Sequence, residues 1–146
     1  MRDSLYFSIS HFSVCYGAKF YNPNYIYYHE IYTIMKLLIA DDNERMRSML
    51  KKLVKGVADE IIECSDGKDA VALYNEVRPD YVLMDIQMKE MDGITATRLI
   101  KKDFPLAKVI IVSNFSDQKF RFAAGNAGVS GFVPKENLID ILNYMV

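Results

Sequence analysis

From position 36 onward, short apolar runs alternate with segments whose apolar residues recur every three or four positions. The runs are Lys36–Ala40, Glu60–Cys64, Tyr81–Met84, Lys108–Val112 and Gly131–Val133. Each is β-branched or Leu-rich and nearly continuous. Continuity rather than alternation predicts strands covered on both faces, hence a parallel sheet between helical layers. In Glu44–Gly56, the residues Met46, Met49, Leu50, Leu53 and Val54 make one apolar helical face, with Arg45, Arg47, Lys51, Lys52 and Lys55 mostly opposite it. Asp69–Val77 repeats the pattern with Ala70, Leu73, Tyr74 and Val77, and Arg78-Pro79 stops it. Ile94–Phe104 follows the turn Asp92-Gly93 and ends before Pro105. Asp117–Ala127 is less regular and contains Gly125. Leu138, Ile141, Leu142 and Met145 give a last helix its face.

Five strands and five helices joined by short loops predict an α/β fold, a (βα)5 doubly wound parallel five-stranded sheet with helices on both faces. With strand order 2-1-3-4-5, strands one, three, four and five are neighbours. Such sheets carry their sites at the carboxyl ends of strands.

Those ends hold Asp41 and Asp42 after the first strand, Asp85 after the third, Ser113 after the fourth and Lys135 after the fifth. Taken singly, an Asp here reads as a cap, Ser113 as a turn hydroxyl and Lys135 as a solvated cation. Their joint occurrence at four strand ends points to one cleft. Three carboxylates repel one another, and one ammonium does not balance them. Such a set asks for a hard divalent cation on oxygen ligands, and Mg2+ fits. A phosphoryl group is the natural further ligand, with Lys135 as point charge and Ser113 as hydrogen-bond donor. The chemistry indicated is phosphoryl transfer onto a carboxylate, with the central Asp85 as nucleophile.

In these residues the chain resembles a response-regulator receiver domain, the phosphoacceptor module of two-component signalling. The resemblance covers residues 35–146 and rests on Leu38-Ile39-Ala40-Asp41-Asp42, Val82-Leu83-Met84-Asp85, Met91-Asp92-Gly93, Ile110-Ile111-Val112-Ser113 and Gly131-Phe132-Val133-Pro134-Lys135. Each motif alone is weak; all five in this order are specific. The resemblance implies that Asp85 is the phosphoacceptor. It implies that Asp42 binds Mg2+ directly, Asp41 mainly through metal-bound water, and Gln87 through its backbone carbonyl. Lys135 matches the lysine that contacts the phosphoryl oxygen, Ser113 the switch hydroxyl and Phe132 the switch aromatic. On phosphorylation, Ser113 would be drawn inward, Phe132 would follow, and the surface of the fourth helix, fifth strand and fifth helix would change.

Three positions depart from the family pattern. Lys89 stands four residues after Asp85, where a Pro is common, and Asn114 follows the switch hydroxyl, where a small residue is usual. Pro134 precedes Lys135 and Glu136 follows it, so the cis peptide associated with a Pro after that lysine is not carried over. The stretches Ala127-Gly128 and Phe132–Glu136 resemble receivers fused to helix-turn-helix output domains.

Composition divides the chain at Met35. Residues 1–34 hold ten of the eighteen aromatics, seven of them Tyr, and only the charges Arg2, Asp3, Lys19 and Glu30. This extension has neither helical period nor alternation, so we read it as read-through from a misplaced start codon or a poorly ordered tail. The competing readings are an aromatic partner-binding arm and a signal peptide; Ser8, Ser10, His11 and Ser13 interrupt the apolar region the latter needs. The receiver expectation therefore starts at residue 35. With 18 basic and 19 acidic residues the net charge is −1, which gives no electrostatic case for nucleic acid. No apolar run is long enough for a membrane-spanning helix. Cys15 and Cys64 form neither a metal spacing nor a disulfide framework, so a cytoplasmic location is expected.

The expected function is a phosphorylation-gated signalling module rather than a metabolic enzyme. It would be charged by a histidine kinase, a phosphotransfer protein or a small acyl phosphate. Its readout would be a downstream protein, a missing output domain or a phosphorylation-dependent homodimer; a stand-alone receiver is the favoured form. Phe115, Phe120 and Phe122 are a candidate contact, though core packing explains at least one of them more simply. A phosphohydrolase would need a second Asp two residues after the nucleophile, where Gln87 stands. A degenerate receiver, acting as a phosphorylation-independent scaffold, is the alternative that Lys89 and Asn114 keep open.

Overall fold

Along β1 (Lys36–Ala40), Leu37 and Ile39 enter one apolar cluster while Leu38 and Ala40 enter another, so both faces of the strand are buried. The same holds for β3 (Tyr81–Met84) and β4 (Val109–Ser113), every residue of which is buried. β2 (Glu60–Cys64) and β5 (Gly131–Pro134) flank them. The sheet is parallel, in order β2-β1-β3-β4-β5. The computed structural model describes residues 33–115 and 117–145. The aromatic extension, apart from Thr33 and Ile34, thus lies outside the described residues.

Two layers cover the sheet. One apolar cluster joins Leu38, Val82, Met84 and Ile111 to Ala70 and Tyr74 of α2 (Gly67–Val77), Ile100 of α3 (Gly93–Asp103) and Ala124 of α4 (Gln118–Ala127). The other joins Leu37, Ile39, Leu83 and Ile110 to Leu50 and Val54 of α1 (Glu44–Val54) and to Ile141 of a C-terminal helix (Lys135–Tyr144). Right-handed parallel crossovers with helices on both faces produce this layering.

Three helices, α1, α2 and α3, begin where side-chain oxygens meet orphan N–H groups. Asn43 accepts from Arg45 and Met46, Asp66 from Lys68, and Asp92 from Ile94 and Thr95. Hence α2 begins at Gly67 rather than Asp69, and α3 at Gly93 rather than Ile94. These first turns carry no apolar signal.

The last helix differs in kind from the α-helix expected around Leu138, Ile141, Leu142 and Met145. It is a 3₁₀ helix, entered from Pro134 and kinked at Asn137 (φ −133°, ψ 52°). A period of three aligns Leu138, Ile141 and Tyr144. That alignment lays the Tyr144 ring against Gly131, where a Cβ would stand 2.6 Å from Cε1. All described peptide bonds are trans. Among the described residues no helix is long and apolar enough to cross a membrane.

Candidate functional site

Backbone pairing runs past the strand ends and sets the acidic residues side by side. Asp41 N–H donates to the Cys64 carbonyl (3.2 Å), and Asp85 N–H to the Ala40 carbonyl (2.8 Å). Asp41 and Asp85 therefore top adjacent strands. Pro134 pairs in register with Ser113, so Lys135 leaves β5 level with the end of β4.

Lys135 reaches back over that edge. Its Nζ lies 2.7 Å from Asp41 Oδ2 and 3.3 Å from Asp85 Oδ1, and all three side chains are buried. Asp41 Oδ1 accepts from Asn43 N–H (2.8 Å), and Asp85 Oδ1 from Ile86 N–H (2.9 Å). Asp85 Oδ2 accepts no hydrogen bond from the described residues. Burial pushes the Asp85 carboxyl above its ordinary value; Lys135 opposes this, and the charge of Asp41 adds to it.

Asp42 completes the set from the solvent side. Carboxylate oxygens of Asp41, Asp42 and Asp85 lie within 4.8 Å of one another, two of these residues buried and Asp42 exposed. Three such oxygens with one open flank match a hard cation that keeps several waters. Among the described residues, buried Asp41 Oδ2 has the Lys135 ammonium as its one partner. The cluster could hold a divalent metal ion.

The other expected residues lie around this pocket. Ser113 is fully buried, and its Oγ accepts from Phe115 N–H (3.1 Å). Phe132 is half-buried under the Arg121 guanidinium, 4.6 Å from its ring centroid. Gln87, Lys89 and Asn114 are exposed. Phe120 packs against the core and against Phe115, whereas Phe122 is 71 % exposed.

Two residues escaped the sequence reading. Asp66 caps α2 through Oδ1, while its Oδ2 accepts from Glu90 N–H (2.7 Å) and Met91 N–H (3.4 Å) in the loop after Asp85. Gly67 N–H donates to the Met91 carbonyl, so close that a Cβ at Gly67 would overlap that oxygen. Arg47, which the helical pattern assigns to a solvated face, turns inward and donates from Nη1 to the Asp41 carbonyl (2.8 Å). For Asp66 the available signal was an Asp before Gly at a helix start; its bonds to residues about 24 positions away left none.

The model of the response regulator receiver domain matches residues 37–145. The response regulator protein VraR of Staphylococcus aureus is 38 % identical over 103 residues, which are 69 % of this chain and 49 % of VraR. The chain thus spans about half the length of the curated relatives it matches. Among solved structures, a LuxR-family DNA-binding response regulator from Staphylococcus aureus is similar with TM-score 0.69 and 32 % identity, over 76 % of this chain and 95 % of that one. The response regulator domain of Thermotoga maritima CheB is similar with TM-score 0.70 and 26 % identity, over 77 % and 94 %. The Borrelia burgdorferi CheX–CheY–BeF3–Mg complex gives TM-score 0.70 and 27 % identity, over 75 % and 85 %.

Proposed function

The chain belongs to the response regulator receiver domains of two-component systems, and on that premise we propose that Asp85 accepts a phosphoryl group in a Mg2+-dependent reaction. The observation that carries this reading is the Lys135 ammonium shared between Asp41 and Asp85, with Asp42 on the open flank. In support, a similar structure was solved with BeF3, a phosphoryl mimic, and Mg2+. The receiver unit is residues 35–146.

Asp85 Oδ1 is occupied by Ile86 N–H and faces Lys135. Oδ2 is therefore the oxygen left to attack phosphorus. An Oδ2–P bond forms as the donor's P–N bond, or the P–O bond of an acyl phosphate, breaks. The leaving group departs with the electron pair. Asp42 and Asp85, with Asp41 through water and the Gln87 carbonyl, would hold Mg2+. Bound there, the ion would neutralise carboxylate and phosphoryl oxygens, where charge compensation and alignment are most of the catalysis. Lys135 would turn from Asp41 to a phosphoryl oxygen.

Ser113 and Phe132 would relay the change. The Ser113 hydroxyl would give up Phe115 N–H as its donor and itself donate to the phosphoryl group, and Phe132 would move in its wake. The donor would be a histidine kinase or phosphotransfer protein in the cytoplasm. The altered surface would act on a downstream protein, an output domain or a second copy of the chain.

Intact-protein mass after incubation with acetyl phosphate and Mg2+ tests this, beside Asp85→Asn and a chelator control. One phosphoryl increment is expected on the parent, and none on the variant or with chelator. An increment that persists on Asp85→Asn overturns the assignment. No increment from acetyl phosphate or from a phosphorylated phosphotransfer protein would leave a phosphorylation-independent scaffold.

A further inference from the structure

We propose that Arg47 is a positioning residue for the acidic pocket, fixing the peptide that joins Asp41 to Asp42, with Glu63 fixing Arg47 in turn. This rests on the reading of the pocket as a Mg2+ site.

The peptide between Asp41 and Asp42 sets the angle at which the two carboxylates enter the pocket. It lies just beyond β1, where strand pairing ends. The peptide before it, between Ala40 and Asp41, is held by Asp41 N–H on the Cys64 carbonyl. Among the described residues no main-chain N–H donates to the Asp41 carbonyl. The Arg47 side chain does: Nη1 donates to it at 2.8 Å. The side chain is 18 % exposed, so it is withdrawn from solvent for this contact.

A guanidinium turned inward needs its own anchor. Its Nε stands 3.4 Å from Oε1 of Glu63, an ion pair rather than a hydrogen bond, and Glu63 sits on β2 one residue before Cys64. Lys51, one helical turn after Arg47, holds the other Glu63 oxygen at 2.7 Å. The chain of contacts runs from Lys51 through Glu63 and Arg47 to the Asp41 carbonyl. It ties α1 and β2 to the acidic loop. Arg47 reaches the pocket through the Asp41 main chain, so it acts through Asp41.

Charge and positioning predict opposite effects here, which makes the residue testable. Arg47 is a cation near a cation site. If it acted only by charge, its removal would tighten Mg2+ binding. If it positions the loop, its removal weakens Mg2+ binding, as loss of outer-shell partners does by about tenfold or more. A merely structural role lowers the melting temperature and leaves Mg2+ affinity unchanged.

The experiment is calorimetric titration of the full chain with MgCl2, comparing parent, Arg47→Met and Arg47→Lys. Phosphorylation by acetyl phosphate at saturating Mg2+ is measured alongside. Arg47→Met is expected to lose about tenfold in Mg2+ affinity. Arg47→Lys, which keeps one charged donor but not the fork, is expected to recover part of it. Unchanged or tighter Mg2+ binding in Arg47→Met overturns the proposal. If that variant does not fold, Arg47→Lys decides: parental affinity overturns, an intermediate loss supports. A parent that binds no Mg2+ refutes the pocket reading itself, an outcome distinct from parent and variants binding alike.

Discussion

Lys135 Nζ lies closer to Asp41 Oδ2, at 2.7 Å, than to the nucleophile candidate Asp85, at 3.3 Å from Oδ1. The ammonium is thus engaged mainly on Asp41 rather than on the nucleophile candidate. It offsets the repulsion of the acidic set while leaving Asp85 Oδ2 open. The same placement explains why Asp85 is still raised above its ordinary value: burial dominates, and one shared cation does not compensate it.

Removing that cation exposes the repulsion. Breaking a sealed ion pair costs about 3–5 kcal/mol; the exposed flank at Asp42 admits water, so Lys135→Met is expected to lose roughly 2 kcal/mol in chelator. Urea unfolding with and without Mg2+ measures it. Mg2+ should narrow the gap between parent and variant. A variant as stable as the parent in chelator would show that the pair contributes nothing to the fold.

Acid should weaken the fold through Asp66 and Asp92. Burial pushes both carboxyls upward, but hydrogen bonds outweigh it and hold both below their ordinary 3.8. The donors are Lys68, Glu90 and Met91 N–H for Asp66, and the hydroxyl and N–H of Thr95 with Ile94 N–H for Asp92. A lowered carboxyl binds protons more readily when unfolded. Its contribution is therefore complete above 3.8 and is lost as pH falls through the folded value. Asp66→Asn should cost roughly 1–3 kcal/mol at neutral pH and flatten the acid limb. Melting temperatures from neutral to acid pH check it; an acid limb as steep as the parent's would exclude Asp66 as a source.

Two glycines should respond in opposite senses to alanine. A Cβ at Gly93 would overlap the Asp85 carbonyl oxygen, so the backbone must shift at Asp85 itself. Gly93→Ala should cost several kcal/mol and impair phosphorylation, on the order of an overpacked core site or more. Gly125 lies inside α4 with nothing within 4 Å of an added Cβ. Gly125→Ala should stabilise by about 0.5–1 kcal/mol. Denaturant midpoints of the two variants decide both.

The strands and their ends were legible because a doubly covered strand must be apolar throughout, and the chain beyond it must turn. Ser113 and Pro134 were left outside their strands because neither residue type signals one, yet they pair with each other. The 3₁₀ helix was not legible: apolar residues at 138, 141, 142 and 145 satisfy a period of three or of four alike. Within the site, Asp41, Asp42, Asp85 and Lys135 could be named from position alone. Arg47 and Asp66 could not, because their partners are main-chain groups, and a sequence carries no mark of which carbonyl or N–H is left over.

The tie between Lys135 and Asp41 joins the residue just after β1 to the residue just after β5, across β3 and β4. The two residues are separated by nearly the whole fold in sequence, so the contact forms only when the intervening chain is in place. A nascent chain halted before residue 135 holds the three acids but not their counter-ion. The counter-ion of the acidic pocket is therefore a product of the folded sheet through β5, and not of the acidic loops alone.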